Sequence, residues 1–198
     1  MIRIAGGRLR GRRFPSPPEQ PGLRPTTAMV RESVMAMLTH PDRLGGCRFL
    51  DLCAGSGLMG LEAWSRGAAH ITAVEKTAGL CRTLRRQAQT CAIPEDEYTV
   101  LQADVFLLKP RPPGSPAFDV AYCDPPYTLW SEQAFTNAMP GWLTNLWRQG
   151  WLAKDSVLLI EHPSSVALPV EFTQSRRYGD TTVSWLTQNV TPNGIQNY

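Results

Sequence analysis

No apolar run in this 198-residue sequence approaches the ~20 residues that a membrane-crossing helix requires, so no spanning segment is expected. The opening residues Met1-Ile2-Arg3-Ile4-Ala5 lead directly into glycines and arginines and lack the apolar centre of a secretion signal. A soluble, cytoplasmic chain is the expectation. Metal-ligand patterns are missing too. The five cysteines, at 47, 53, 81, 91 and 123, form no C-x-x-C pair and have no histidine at ligand-like spacing, while His40, His70 and His162 are far apart in sequence. Reduced core cysteines and no metal follow. The chain also lacks an internal repeat and the length for two domains of ordinary size. One core with an appendage is expected, working as a monomer.

What the sequence does contain is positive charge in one place. Residues 1 to 31 hold Arg3, Arg8, Arg10, Arg12, Arg13, Arg24 and Arg31 against the single acid Glu19, so this stretch carries +6 and the remainder is mildly acidic. Clustered guanidinium groups suit phosphate oxygens, and a basic arm is the footprint of a polyanion-binding protein. The alternation in Ile2-Arg3-Ile4-Ala5-Gly6-Gly7-Arg8-Leu9-Arg10 suggests a short strand and turn that hold the arginines in place.

A proline-rich connection from Phe14 to Pro25 precedes a helix that Thr26 or Thr27 can cap, starting near Ala28, with Met29, Val34, Met37 and Leu38 at roughly helical spacing and Pro41 ending it. Strands are predicted at 47–52, 70–74, 98–101, 118–123 and 156–160. Helices are predicted at 58–66 and 77–90, and a third over 132–147 that Pro140-Gly141 can divide. A hairpin over 170–178 and 182–187, turning at Gly179-Asp180, closes the chain. Strands alternating with helices before a terminal hairpin predict a three-layer α/β domain with a mostly parallel sheet.

The chemistry gathers at the predicted strand ends. Gly55-Ser56-Gly57-Leu58-Met59-Gly60 satisfies G-x-G-x-x-G, with Glu75 placed to bind ribose hydroxyls. That loop suits any adenosine-containing cofactor. Asp51 just before it would repel a pyrophosphate but could bind the amino group of a methionyl tail, directly or through water. Asp104 ends the third strand, where it can bind an adenine amino group or cap the next turn. The fourth strand runs into Asp124-Pro125-Pro126-Tyr127. Such an exit can aim a carboxylate and the Pro125 carbonyl at an amino group, with Pro126 fixing the turn and Tyr127 stacking on the base that carries it. Methyl transfer from S-adenosylmethionine to a nucleobase nitrogen is the chemistry that uses all of these.

The motifs resemble a known family, the bacterial 16S ribosomal RNA guanine-N2 methyltransferases that modify guanine 966. The likeness runs through Ile2 to Gly7, Arg10 to Arg13, Gly22-Leu23-Arg24-Pro25-Thr26-Thr27, Val30-Arg31-Glu32, Asp51 to Gly57, Gly60-Leu61-Glu62-Ala63, Ser65 to Ala68, Glu75, Asp124 to Tyr127 and Tyr178-Gly179-Asp180-Thr181. It implies a Rossmann-like, class I S-adenosylmethionine-dependent fold with a seven-stranded, mostly parallel sheet and a terminal antiparallel hairpin. It implies a basic arm and helix over residues 1–44 that contacts RNA, a methyltransferase domain over 45–190 and a tail over 191–198. Carried over by position, Asp51, Cys53, Gly55, Gly57, Glu75, Lys76 and Asp104 would hold the cofactor. Asp124, Pro125, Pro126 and Tyr127 would act on guanine, and Arg10, Arg12, Arg13, Arg24, Thr26 and Arg31 would meet 16S RNA in the 30S subunit. One departure stands out: where the family commonly carries Phe-Asn, this chain has Met35-Ala36.

Three other readings compete. The same exit motif serves amino-methylation of DNA adenine or another RNA guanine, although no separate segment for reading duplex DNA is evident. An RNA-binding or ribosome-assembly protein without turnover could keep the cofactor fold. A nicotinamide-dependent oxidoreductase would rest on Gly55 to Gly60 alone and leave Asp51 and Asp124 idle.

Overall fold

Short, nearly continuous apolar runs decide the sheet. The computed structural model describes residues 2–15, 27–40, 42–168 and 170–188. A small antiparallel pair, β1 (Ile2–Arg3) and β2 (Arg13–Phe14), leads to α1 (Ala28–Thr39). Then come β3 (Arg48–Leu52), α2 (Leu58–Ser65), β4 (His70–Glu75), α3 (Ala78–Thr90), β5 (Tyr98–Gln102), β6 (Phe118–Cys123), α4 (Gln133–Arg148), β7 (Leu152–Pro163), β8 (Gln174–Tyr178) and β9 (Thr181–Leu186). The main sheet has the order β5-β4-β3-β6-β7-β9-β8 and is parallel except for β9, which is antiparallel to both neighbours.

Both faces of the central strands are buried, as the near-continuous apolar runs require of a parallel sheet. Phe49, Ile71, Val120 and Leu159 face a layer containing α1, α2, α3 and the amino-terminal hairpin. Leu50, Val74, Ala121 and Ile160 face α4 and an aromatic cluster that includes Trp130 and Trp151. Sixteen residues of α4 run unbroken past Pro140. The prediction that Pro140-Gly141 divides this helix therefore fails. Proline removes one backbone donor and crowds the preceding turn, and the burial of Met139, Leu143 and Leu146 on the inner face outweighs that cost.

The basic segment is built into this architecture. Ile4, Leu9 and Phe14 belong to the same core as α2, and Gly7 (φ +71°) lies so close to the end of α2 that an added Cβ would fall 1.8 Å from the Ser65 carbonyl oxygen. A glycine is required there for contact, not only for the turn. Thr27 caps α1 by accepting from the Val30 amide at 3.3 Å. Val34 and Leu38 are buried as expected, but Met29 is 69% exposed and does not join the core. Met35, at the position of the family departure, is fully buried.

Beyond the described residues lie Arg24, Thr26, most of the proline-rich connection, Pro41 and the 191–198 tail. No helix among the described residues is long and apolar enough to cross a membrane. All five cysteines are free, and the described residues contain no cluster that could hold a metal ion.

Candidate active site

At the carboxyl ends of β3, β4, β5 and β6 the chain opens into a cavity of about 280 Å³. β3 leaves the sheet through Cys53, a non-glycine residue held at φ 62°, and the loop tightens by a 2.7 Å bond from the Gly57 amide to the Ala54 carbonyl. Gly57 (φ +73°) packs so closely on Leu84 that a Cβ there would sit 2.2 Å from its Cδ2. The third glycine, Gly60, lets the first turn of α2 approach β4, where an added Cβ would meet Ile71 at 2.9 Å.

Two carboxylates hold this loop. Glu75, at the end of β4, accepts from the Gly55 amide at 3.0 Å and, through its other oxygen, from the Thr77 amide at 2.7 Å. It also lines the cavity, so its remaining lone pairs can meet hydroxyl groups there. Asp51 is 2% exposed and accepts from the Gly60 amide at 3.0 Å. It stands behind the loop and is not part of the cavity wall. Burial pushes its carboxyl up to about 8, with Glu75 adding to the rise and the Gly60 bond opposing it.

The consequence is a pH-dependent stability. Asp51 keeps its proton in the folded chain up to about pH 8 but loses it near the ordinary value of 3.8 when unfolded. Its contribution is therefore complete below pH 4 and is lost as pH rises through this window to about 8. Asp51→Asn keeps an acceptor for Gly60 without the titration. Urea unfolding at pH 5 and pH 8 should show the wild type losing ground to Asp51→Asn at the higher pH, and parallel behaviour would overturn the assignment.

The other cavity walls carry the remaining cofactor candidates in part. Cys53, Lys76 and Asp104 line it beside Val74, Leu80, Val105 and Phe106. Asp104 caps a short 3-10 turn, its Oδ1 accepting from the Phe106 amide at 3.0 Å, and it also lines the cavity, where an adenine amino group was expected. Spacing alone did not single out Leu80, Val105 or Phe106. Carboxylates beside an apolar slot suit an adenosine, with polar groups for its ribose and amine and apolar walls for its ring.

β6 delivers the fourth edge. Its ladder extends to the Asp124 amide, which donates to the Leu52 carbonyl at 3.4 Å, and Asp124 and Pro126 both line the cavity. Pro125 is buried, and Tyr127 opens a 3-10 turn over Tyr127–Ser131 that anchors Trp130 in the core. The Tyr127 hydroxyl bonds to Thr181 Oγ1 at 2.6 Å, tying the β6 exit to the start of β9. Tyr178, at the end of β8, in turn bonds Ser33 of α1. Spacing in the sequence could not reveal either contact, since the partners lie 54 and 145 residues apart.

Arginines of the hairpin divide by role. Arg10, Arg12 and Arg13 are exposed, and Arg12 is tethered to the carbonyl of Thr90, the last residue of α3. Arg8 lies flat over Trp64 at 3.6 Å and donates to its carbonyl. Arg31, expected at the substrate mouth, is instead 3% exposed, pairs with Glu62 at 3.3 Å and donates to the Arg3 carbonyl. Its charge is used inside the protein, where the Glu62 carboxylate offsets the cost of burying it.

A sheet of this order with β9 reversed, a glycine loop after its first strand and an Asp-Pro-Pro-Tyr exit after its fourth defines a class: the class I S-adenosylmethionine-dependent methyltransferases. Comparison with known proteins narrows the class. The family model described as conserved hypothetical protein 95 matches residues 2–187. Ribosomal RNA small subunit methyltransferase D of Escherichia coli K12 is 33% identical over 168 residues, covering 85% of this chain and 78% of that protein. The solved Escherichia coli protein yhhF has a TM-score of 0.72 at 28% identity, covering 93% of this chain and 96% of the other. An RNA methyltransferase from Salinibacter ruber, in complex with S-adenosyl-L-homocysteine, shares the fold with a TM-score of 0.60 at 17% identity, over 88% and 98% of the two chains. This chain belongs to the ribosomal RNA small subunit methyltransferase D family.

Proposed function

We propose that this protein transfers a methyl group from S-adenosylmethionine to the exocyclic N2 of a guanine in 16S ribosomal RNA, at the position equivalent to 966. It would act as a cytoplasmic monomer on the small ribosomal subunit. One observation carries the reading: Asp124 and Pro126 open onto the same 280 Å³ cavity as Glu75 and Asp104, so amino-group recognition and adenosine recognition meet in one place.

When bound, S-adenosylmethionine supplies an electrophilic methyl on a sulfonium. Glu75 would take the ribose hydroxyls, Asp104 the adenine amine, and Val105 with Phe106 the ring; Asp51 acts by holding the Gly60 turn. An exocyclic amine shares its lone pair with the base and is a poor nucleophile, so the protein's task is orientation. The Asp124 carboxylate and the Pro125 carbonyl accept from the amine and direct its lone pair. Asp124 can then receive the proton that nitrogen releases as the new bond forms. Tyr127, steadied by Thr181, offers a ring on which an extruded base stacks. The exposed arginines Arg10, Arg12 and Arg13 supply sequence-independent attraction for phosphates, and Arg24 and Thr26 are proposed to contact RNA as well.

The test incubates the protein and labelled S-adenosylmethionine with undermodified small subunits and with naked 16S RNA, followed by nucleoside mapping. N2-methylguanosine at the equivalent of 966, made on subunits, is the expected result. Methylation of adenine, or no transfer by protein that demonstrably binds the cofactor, would overturn it.

A further inference from the structure

A cationic groove runs along the β5 flank of the sheet, from the first residues of β3, β4 and β6 to Leu101 and Ala103, the last of which also lines the active-site cavity. The connection from β5 to β6 spans residues 103–117 and carries Pro110, Pro112, Pro113 and Pro116. These prolines bar a regular helix, and the segment forms only the 3-10 turn Val105–Leu107. Because no helix covers that flank, a groove of about 600 Å³ opens beside the first residues of β3, β4 and β6.

Its walls are basic and its floor is aromatic. Arg48, His70, Lys109 and Arg111 line it together with Phe118 and Trp151, and no Asp or Glu does. Both guanidinium groups lie over the same ring: Arg111 Cζ is 4.8 Å and Arg48 Cζ 5.2 Å from the centroid of Phe118, which is itself stacked on Trp151. Arg48 Nε and Arg111 Nη1 are buried with no hydrogen-bond partner, and neither guanidinium is in an ion pair among the described residues, the Asp119 carboxylate being held by the Arg48 backbone amide at 2.8 Å. Two adjacent positive charges attract an anion, which would be met by the guanidinium nitrogens other than Arg48 Nε and Arg111 Nη1, since those two are closed off from solvent. The two charges already act on their surroundings: after desolvation, Arg48 and Arg111 help to lower the His70 pKa, with the Asp96 carbonyl bond and charge opposing. The groove is also held open. Trp151 Nε1 donates to the Lys109 carbonyl at 3.0 Å and the Arg111 amide to Gln149 at 2.9 Å, fixing the loop that carries both cations.

We infer that this groove is a second RNA contact, in which Arg48 and Arg111 together engage backbone phosphate while the exposed Leu107 and the neighbouring apolar wall pack against an adjacent sugar or base. Phosphodiester fits better than a carboxylate-bearing peptide because two converging forks match the several acceptor oxygens of phosphate. The site lies one strand length, roughly 20 Å for six residues, from the Asp124 edge. A substrate reaching both is a folded RNA or a particle, not a free nucleoside. The inference rests on the proposed RNA substrate for the source of the phosphate alone.

The test uses the full-length protein and an Arg48→Gln/Arg111→Gln variant, with Arg48→Lys/Arg111→Lys as the charge-conserving control. Binding of a labelled single-stranded oligoribonucleotide is followed across a salt series, and inorganic phosphate is titrated while the Trp151 indole signal is observed by NMR. The glutamine variant should bind RNA about tenfold more weakly, with a salt slope smaller by about 1.4 for two lost phosphate contacts, and the lysine variant should recover most of both. Thermal unfolding and S-adenosylhomocysteine calorimetry should be unchanged. An unaltered salt slope in the folded glutamine variant would sink the proposal. Inorganic phosphate shifting Trp151 while RNA binding stays unaltered would replace it with a small-anion site. Because the readout is binding, failure of the wild type to methylate RNA would overturn the proposed reaction and leave this result standing.

Discussion

Asp124→Ala should reduce turnover on undermodified small subunits by roughly 10³-fold, in the middle of the range for losing a positioned acid or base. S-adenosylhomocysteine affinity should move by no more than about threefold, because Glu75 and Asp104 remain on the cavity wall beside Val74, Leu80 and Phe106. The effect is large because orientation is the main contribution available: the target nitrogen is weakly nucleophilic, and a misaligned amine meets the sulfonium methyl only rarely. Asp124→Asn separates two parts of the role. Its amide oxygen still accepts from the amine but cannot take the released proton, so it should retain more activity than alanine and less than the wild type. Single-turnover rates with saturating cofactor, beside calorimetry, make the comparison. Full activity in Asp124→Ala, or a loss that reduced cofactor affinity explains, would remove Asp124 from the reaction.

The parallel sheet was legible because its strands are short apolar runs that end in chemically distinct residues. Phe118–Cys123 was predicted to the residue, and His70–Glu75 closely. β7 was foreseen only at its core, 156–160, whereas it runs over Leu152–Pro163. Its extension to Pro163 pairs with β9 and its start at Leu152 pairs with Phe118 of β6 across an irregularity, and no local pattern reports either. The same limit applies to Met29, whose helical spacing was right but whose face has no described partner layer, and to Pro140, where burial overrides a local helix breaker.

At the site, placement at strand ends was readable for Glu75, Asp104 and the proline exit, which line the cavity, but not for Asp51, which stands behind the loop. Arg31 was not readable either, because a guanidinium suits a phosphate and a buried carboxylate equally well, and only the position of Glu62 decides between them. Glu62 itself stood within the Gly60-Leu61-Glu62-Ala63 likeness, yet a charged residue on an amphipathic helix ordinarily reads as solvent-facing. The Arg48 and Arg111 groove was invisible for a related reason. Its two cations are 63 positions apart and meet only because β3 and β6 are neighbours.

Glu62→Ala should be the most destabilising of the substitutions considered, costing about 3–5 kcal/mol. The side chain is fully buried, and one oxygen receives the Ala5 amide at 2.7 Å and Arg31 Nε at 3.3 Å, while the other receives Arg66. Hairpin, α1 and α2 therefore share a single negative charge. Removing it leaves Arg31 at 3% exposure without a counter-charge, whereas Arg66, at 16%, can turn toward water. For a chain of this size, about 2–4 °C per kcal/mol gives a melting temperature lower by about 10 °C, and limited proteolysis should cut first within residues 2–15 as the hairpin loses its anchor. A double variant tests the cause. Glu62→Leu with Arg31→Met removes both charges and fills the space with apolar groups, so it should recover much of the stability that either single change loses. If the double variant is as unstable as Glu62→Leu and Arg31→Met combined, the two side chains are not energetically coupled, and the hairpin is held by the packing of Ile4, Leu9 and Phe14.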